Sequence, residues 1–359
     1  MPVISSSSTI LVTGGTGFIG AWVITVLLQR GNTVKAIVRS EVKGLALRRS
    51  LFQDKRNEGK EALFDVVVIE DLTKDRAFDA TIIGVDGILH LASPLSIDAT
   101  SEPEEIIGSA VNLTLAVLKS ALRQSQSGDH TLKRVVITSN GAAVYTPNPS
   151  EPTTFSEKDW NDASIAVVQE QGRDASLMDK YRASKVKAER AAWDFYNNHR
   201  GEIKWDMAVL NPPFVTGPAF QAPASPADLP STLKMWYNLV VVPGEKARPA
   251  VLANAGWVDV RDLAEAHVRA LEIQEAGSER IIVSEGVYIF QEWLDIANKV
   301  KPEGYKKELP KGLPELTAGI ITYNLKYDTS KASRVLNIRY RTKEETTRDI
   351  LEWVAERGW

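Results

Sequence analysis

A doubly wound, Rossmann-type parallel α/β sheet with a smaller, mostly C-terminal substrate lobe is the fold the sequence predicts. Three observations predict it. Short apolar runs alternate with helical stretches through the first half of the chain. A glycine-rich turn, Gly14-Gly15-Thr16-Gly17-Phe18-Ile19-Gly20, joins the first apolar run to the first helical stretch. The chain has 359 residues, 43% of them hydrophobic, enough to bury a large core and form two lobes. Nearly continuous apolar strands separated by helices fit a parallel sheet whose crossovers cover both faces.

Thr9 to Thr13 reads as the first strand, followed by the glycine turn and a helix through about Arg30. Thr33 to Val38 is the next strand, closed by Arg39. Asp65 to Ile69, Gly87 to Leu91, Val135 to Thr138 and Asp206 to Leu210 supply further buried runs, and helical patterns occupy roughly 105–125 and 178–198. Beyond about residue 211 the prolines at 212, 213, 218, 223, 226 and 230 break up regular structure, as expected of loops over an active-site mouth. Helical runs return at Val260 to Ile273 and at about Lys343 to Ala355. The expected organisation is a dinucleotide-binding domain over 1–210 and a substrate lobe over 211–359, with late segments returning to the first core.

Composition excludes several classes. The formal charge of −3 comes from interspersed charges, so nothing calls for nucleic acid or a lipid surface. No apolar run is expected to span a bilayer, and residues 1–8 lack the basic start and apolar stretch of a signal peptide. The absence of cysteine rules out disulfides and thiolate chemistry and is compatible with a cytoplasmic location. The four histidines, at 90, 130, 199 and 267, have no metal-site spacing, so no metal is expected.

Gly14, Gly17 and Gly20 fall three apart between a strand and a helix. The first permits a tight turn, the second lets backbone approach a pyrophosphate, and the third allows close helix–strand packing. The helix start offers free N–H groups and positive dipole to phosphate. No GK[ST] follows, which disfavours P-loop ATP hydrolysis. An acidic residue at the end of the second strand would bind ribose hydroxyls. Here the strand ends Val38-Arg39-Ser40 with Lys43 beyond, and two cations suit a 2′-phosphate, so NADP(H) is favoured over NAD(H). Asp71, with Leu72 beside it, follows another strand and is placed toward the adenine edge.

Tyr181 and Lys185 are four apart on a helical stretch and share one face. A tyrosine of pKa near 10 is a reluctant acid or base, and a neighbouring ammonium is expected to lower that value. Lys185 is also suited to hold the nicotinamide ribose.

The glycine turn, Val38-Arg39, His90-Leu91-Ala92-Ser93-Pro94, Thr138-Ser139-Asn140, Tyr181-Arg182-Ala183-Ser184-Lys185 and Asn211-Pro212-Pro213-Phe214-Val215-Thr216-Gly217-Pro218 together resemble the extended short-chain dehydrogenase/reductase family. The resemblance is to its dihydroflavonol-reductase-like and fungal aldehyde or carbonyl-reductase-like branch, and it covers nearly the whole chain. It implies that Thr16 and the backbone around Phe18 and Ile19 border the cofactor. Arg39 and Lys43 would meet the 2′-phosphate, and Leu91, Ala92 and Ser93 would line the cofactor near Thr138. Tyr181 would protonate a reduced carbonyl, Lys185 would anchor ribose, and Pro212 and Val215 would shape the nicotinamide side.

One position departs from the family. These reductases usually carry Thr-Ser-Ser, and Asn140 stands where the second serine holds the substrate carbonyl. Three readings stay open: Asn140 donates through its amide, Ser139 or a water takes the role, or the chemistry is altered. Ser93, Tyr145, Trp160, Phe214, Met235 and Trp236 are candidates for the substrate mouth, with Trp160 and Trp236 equally suited to packing. The expected activity is NADPH-dependent reduction of an aldehyde or ketone, apolar or aromatic in character, by a monomer or homodimer. A sugar-nucleotide epimerase or dehydratase using tightly held cofactor, and a catalytically weak NADP(H)-binding regulator, are the alternatives. Arg39 argues against the usual NAD-retaining form of the first, and NADPH binding without turnover would mark the second.

Overall fold

The computed structural model describes residues 3–93, 101–127, 130–221 and 223–359, and Pro94 of the His90–Pro94 motif lies outside them. In chain order the first half runs β1 (Thr9–Thr13), α1 (Phe18–Gln29), β2 (Thr33–Val38), α2 (Glu41–Gln53), β3 (Phe64–Val68), β4 (Gly87–His90), α3 (Pro103–Gln126), β5 (Arg134–Thr138), β6 (Thr153–Phe155), α4 (Asp162–Gln171), α5 (Leu177–Asn198) and β7 (Asp206–Asn211). There follow β8 (Phe214–Thr216), α6 (Ser231–Val240), α7 (Arg248–Val251), β9 (Asn254–Asp259), α8 (Val260–Glu272), β10 (Arg280–Ile282), β11 (Gly286–Ile289), α9 (Phe290–Val300), β12 (Leu325–Tyr327), α10 (Ser330–Leu336) and α11 (Lys343–Ala355).

Seven strands form one sheet in the order β10-β7-β5-β4-β1-β2-β3, parallel throughout. The chain winds outward in both directions from β1 and β4, so the carboxyl ends of those strands form the crevice at which such sheets bind ligands. The register sets Thr13 beside both Ile37 and His90. Central strands are apolar on both faces, as β1 and β5 show with Ile10, Leu11, Val12, Val135, Val136 and Ile137 buried. One core packs α1 and α8 on one face of the sheet, and a second packs α3 and α5 on the other.

The early strands and the helices over 18–29, 103–126 and 177–198 lie close to where the sequence pattern put them. The apolar character of α3 corrects one expectation. Its 24 residues are long and apolar enough to cross a membrane by length and composition. It is instead a flanking core helix, with Ala110, Val117 and Ala121 buried, and it packs along α5, where Ala183, Ala188 and Ala192 permit close approach.

The smaller lobe holds a three-stranded β11-β9-β8 sheet and an aromatic core that includes Trp236, Trp257, Tyr288, Phe290 and Trp293. It is not made from late chain alone. β6 comes from the first half and pairs with β12, while β10 and α8 travel the other way and complete the Rossmann layer.

Candidate active site

Gly14 turns with φ +72°, and a Cβ there would lie 2.8 Å from the Ala92 nitrogen, so the glycine turn lies against the exit of β4. A Cβ on Gly20 would come within 2.7 Å of the Gly15 Cα, which is why the helix can start so close to the turn. The Gly17 amide donates to the Gly14 carbonyl (2.9 Å) and Gly17 then caps α1 with no side chain over its free amides. Thr13 completes the seam: its hydroxyl accepts from the Ala92 amide (3.1 Å) and meets His90 Nδ1 (2.9 Å). Burial, with Lys185 adding, pushes His90 down to about 4, so it is neutral.

Arg39 is exposed where β2 ends and Lys43 is exposed in the first turn of α2. Neither pairs with a protein carboxylate among the described residues. Two unpaired cations beside a glycine cradle fit the extra phosphate of NADP(H). Asp71 is exposed and accepts from the Thr73 amide (2.9 Å) and hydroxyl (2.6 Å), which hold its carboxyl below the usual range, while Leu72 packs toward the second core.

Ser176 caps α5 by accepting from the Asp179 amide (3.1 Å), which fixes the start of the helix one turn ahead of Tyr181. Lys185 Nζ donates to Ser93 Oγ (2.9 Å) at the β4 exit and lies 5.6 Å from the Tyr181 ring centre. Thus the tyrosine–lysine pair meets Ser93 at the β4 exit, and the glycine turn packs against the next residue, Ala92. The sequence family matches residues 10–284 and is described as the NAD dependent epimerase/dehydratase family. The chain belongs to that family, the extended short-chain dehydrogenase/reductase class its motifs resemble.

Full-length relatives in this family are reductases by name. A ketoreductase of Aspergillus niger is 30% identical over 99% of this chain and 99% of its own. The NADPH-dependent methylglyoxal reductase of Saccharomyces cerevisiae is 29% identical over 97% of this chain and 98% of its own. The solved yeast methylglyoxal/isovaleraldehyde reductase, complexed with NADPH, superposes with a TM-score of 0.82 at 28% identity, covering 98% of this chain and 99% of that one.

Within the epimerase/dehydratase framework, the protonation of Tyr181 differs from the expectation drawn from sequence. Burial, and the Tyr145 phenol beside it, push Tyr181 up to about 12 instead of down. The expected source of lowering, Lys185, is itself pushed down to about 8 by burial, with Glu189 offsetting part of that. Tyr181 is therefore a held proton at neutral pH, and the lysine does not make it acidic.

Asn140 and Ser139 are fixed in opposite senses. Asn140 Oδ1 accepts from the Ala142 amide (2.8 Å), which ties down the acceptor end of the amide and leaves its NH2 without a protein partner among the described residues. Ser139 is buried and donates to Glu189 Oε2 (2.5 Å). Thr138 likewise faces a protein partner, His267 Nε2 (2.7 Å), whose Nδ1 faces the Leu263 carbonyl (2.7 Å). Burial keeps His267 neutral, down to about 4. The Pro212 carbonyl accepts from the Gly141 amide (2.8 Å), and Val215 belongs to the core that also takes Phe18 and Ile19.

Glu189 is the residue sequence reasoning missed. It accepts from Ser139, from Asn211 Nδ2 (2.7 Å) and from Arg280 Nε (2.5 Å), and all four groups are buried. Arg280 also donates to the carbonyls of Glu157 (2.9 Å) and Asp159 (2.5 Å), so one guanidinium joins α5 to the segment leading to α4, and Glu189 carries the network on to Ser139 and to Asn211 of β7. The four-residue step from Lys185 to Glu189 was a readable signal; nothing local marked Arg280. Tyr327 was also missed: it packs so closely over the Asn140 turn that a Cβ on Gly141 would lie 2.8 Å from its hydroxyl.

Of the mouth candidates, Ser93 and Tyr145 reach the site. The Trp160 ring is covered by Arg280 (3.8 Å) and Arg190 (4.8 Å), Trp236 is fully buried against Trp293, and Phe214 packs on Tyr288 and Phe290. Met235 is exposed on α6.

Proposed function

We propose that this protein reduces a small-molecule aldehyde or ketone to an alcohol with NADPH, Tyr181 giving the proton. The observation that carries the reading is the contact by which Lys185 holds Ser93 at the β4 exit, the strand end against which the phosphate turn packs, with Tyr181 on the same helix face. Full-length similarity to reductases supports it, whereas similarity to a Thermotoga maritima UDP-glucose 4-epimerase, at 19% identity, carries the fold alone.

Bound NADPH supplies the hydride that reaches the carbonyl carbon. Gly14 to Gly20 and the start of α1 hold its pyrophosphate, and Arg39 and Lys43 hold the 2′-phosphate. The Asn140 amide donates to the carbonyl oxygen and stabilises the charge that grows there. Tyr181, protonated at neutral pH, passes its Oη proton to that oxygen as the C=O electron pair moves onto it, and the Lys185 ammonium supports the phenolate left behind. Leu177 and Met178, exposed 41% and 52%, lie four and three residues before Tyr181 on the same face of α5. With Tyr145 they give the mouth an apolar and aromatic rim, suited to an apolar carbonyl compound.

Replacing Tyr181 by Phe tests the assignment. Turnover across a panel of aldehydes and ketones should fall by about 10²–10⁴-fold, while NADPH affinity, read by fluorescence titration, stays within about twofold of wild type because the ring remains. Near-normal turnover in Tyr181→Phe would overturn the role of Tyr181. NADPH binding by the wild type without turnover on any carbonyl would favour a regulatory protein.

A further inference from the structure

We infer that Gln221 is a ligand for the pyrophosphate of NADPH, carried over the glycine turn by a strap of the smaller lobe. The inference rests on the NADPH reading above and adds to it a residue from outside the dinucleotide motif.

The strap, residues 217–221 and 223–230, leaves β8 at Gly217 and returns across the start of α1. Between strap and helix lies a cavity of about 200 Å³. Thr16, Gly17 and Phe18 form one wall, and Phe220, Gln221 and Asp228 are on the other. The Gln221 side-chain nitrogen is buried and has no hydrogen-bond acceptor among the described residues. A buried amide N–H₂ left unpaired is destabilising, and native structures pair nearly all such groups. Here the missing acceptor belongs in a cavity whose opposite wall is the free-amide end of a 12-residue helix, where an anionic oxygen is held. Asp228 also lines the cavity, and its carboxylate accepts from the Ser225 hydroxyl (2.7 Å). A neutral donor on the strap is therefore the group that can meet phosphate beside that carboxylate.

The strap is fastened where this contact needs it. The Trp22 indole N–H donates to the Pro218 carbonyl (3.0 Å), and its ring meets Phe220 edge to face at 5.2 Å. The Arg56 guanidinium covers both rings, 4.5 Å from Trp22 and 5.4 Å from Phe220, and is itself oriented by Asp54 (Nε to Oδ1, 2.8 Å). These contacts fix the strap at Pro218 and Phe220, directly ahead of Gln221, so the amide is positioned before the cofactor arrives.

The test compares two ligands by titration calorimetry on wild type, Gln221→Ala and Gln221→Glu. One is NADPH; the other is adenosine 2′-monophosphate, which carries the 2′-phosphate but no pyrophosphate. Gln221→Ala should raise the Kd for NADPH about tenfold, and Gln221→Glu should raise it further by setting a carboxylate against phosphate. Both variants should keep the wild-type affinity for the monophosphate and the wild-type melting temperature. Wild-type NADPH affinity in Gln221→Glu would overturn the inference, as would equal weakening of both ligands, which would mean a displaced strap. A wild type that binds neither ligand would bring down the NADPH reading itself, an outcome distinct from either.

Discussion

At the phosphate end of the site, recognition is built from main chain and from side chains that touch little else: Gly14, Gly17 and Gly20 shape a turn, and Arg39 and Lys43 stand exposed and unpaired among the described residues. At the proton end the groups are enclosed and each is held by another. Lys185 is bonded to Ser93, Asn140 caps its own turn, and Ser139 is drawn into the buried Glu189–Arg280–Asn211 network. The first end depends on shape and charge that seven consecutive residues and one strand end specify. The second depends on contacts between residues far apart in the chain, such as the 91 positions separating Glu189 from Arg280. Substitutions should therefore act locally at one end and through partners at the other.

The sharpest way to break this contrast is at the Thr138-Ser139-Asn140 turn. Asn140→Ala removes the side-chain donor of the turn that has no protein partner among the described residues and should lower kcat by about 10²–10³-fold with NADPH affinity intact. Ser139→Ala, next door, should alter kcat by less than about threefold, since its hydroxyl serves Glu189. Steady-state kinetics on the pair decide the matter: a larger loss in Ser139→Ala than in Asn140→Ala would return the carbonyl to Ser139. Asn140→Ser adds the family's usual group, and unchanged turnover and substrate geometry there would deny Asn140 a special part.

Arg39→Ala probes the other end, where the effect should be confined to one ligand. Loss of a charge-assisted contact to the 2′-phosphate should weaken NADPH by about 10- to 100-fold, while NADH, which lacks that phosphate, binds as it does to wild type. Parallel fluorescence titrations measure the two, and equal losses would mean that Arg39 supports the fold of the β2–α2 turn and not the phosphate.

How far each end was legible in the sequence follows the same division. β1, the glycine turn, β2 and Arg39 are contiguous, their apolar period and turn chemistry are local, and the structure places them where the pattern did. Tyr181 and Lys185 were legible as a pair because a helix puts positions four apart on one face. Their protonation was not, because it follows from burial and from the nearby Tyr145 and Glu189, none of which the spacing reveals. Trp160 and Trp236 show the converse: an aromatic residue in a loop-rich region suits a mouth or a core equally, and only the cation over one ring and the indole packed on the other decide. β6 escaped notice because three residues carry no period, and its partner β12 lies near the far end of the chain.

The inverted protonation at the proton end gives a pH signature. Burial pushes Lys185 down to about 8 and Tyr181 up to about 12. The kcat/KM for carbonyl reduction, which reports the free enzyme, should thus fall about tenfold per pH unit above pH 8 through loss of the ammonium, with no second limb from Tyr181 below pH 10. The limb should vanish from the residual activity of Lys185→Arg, whose charge persists across that range. A limb that survives in Lys185→Arg belongs to another group.

The smallest expected effect concerns stability and runs opposite to activity. Burial holds the Lys185 pKa at about 8 in the folded protein, below the 10.5 of an unfolded lysine. Below pH 8 the side chain is charged in both states, so the full penalty of enclosing an ammonium is present there, up to about 3 kcal/mol for a shift of this size. Between pH 8 and 10.5 the unfolded chain holds more protons than the folded one, so this contribution to stability improves as pH rises, and the penalty is gone above that window. Lys185→Met should therefore abolish reduction yet raise the melting temperature by a few degrees at pH 7 without NADPH, with the gain shrinking toward zero by about pH 10. Scanning calorimetry at the two pH values reads this directly. A Lys185→Met variant less stable than wild type at pH 7 would show that the bonds to Ser93 and the field of Glu189 outweigh desolvation, and that the lysine holds the fold together as well as the chemistry.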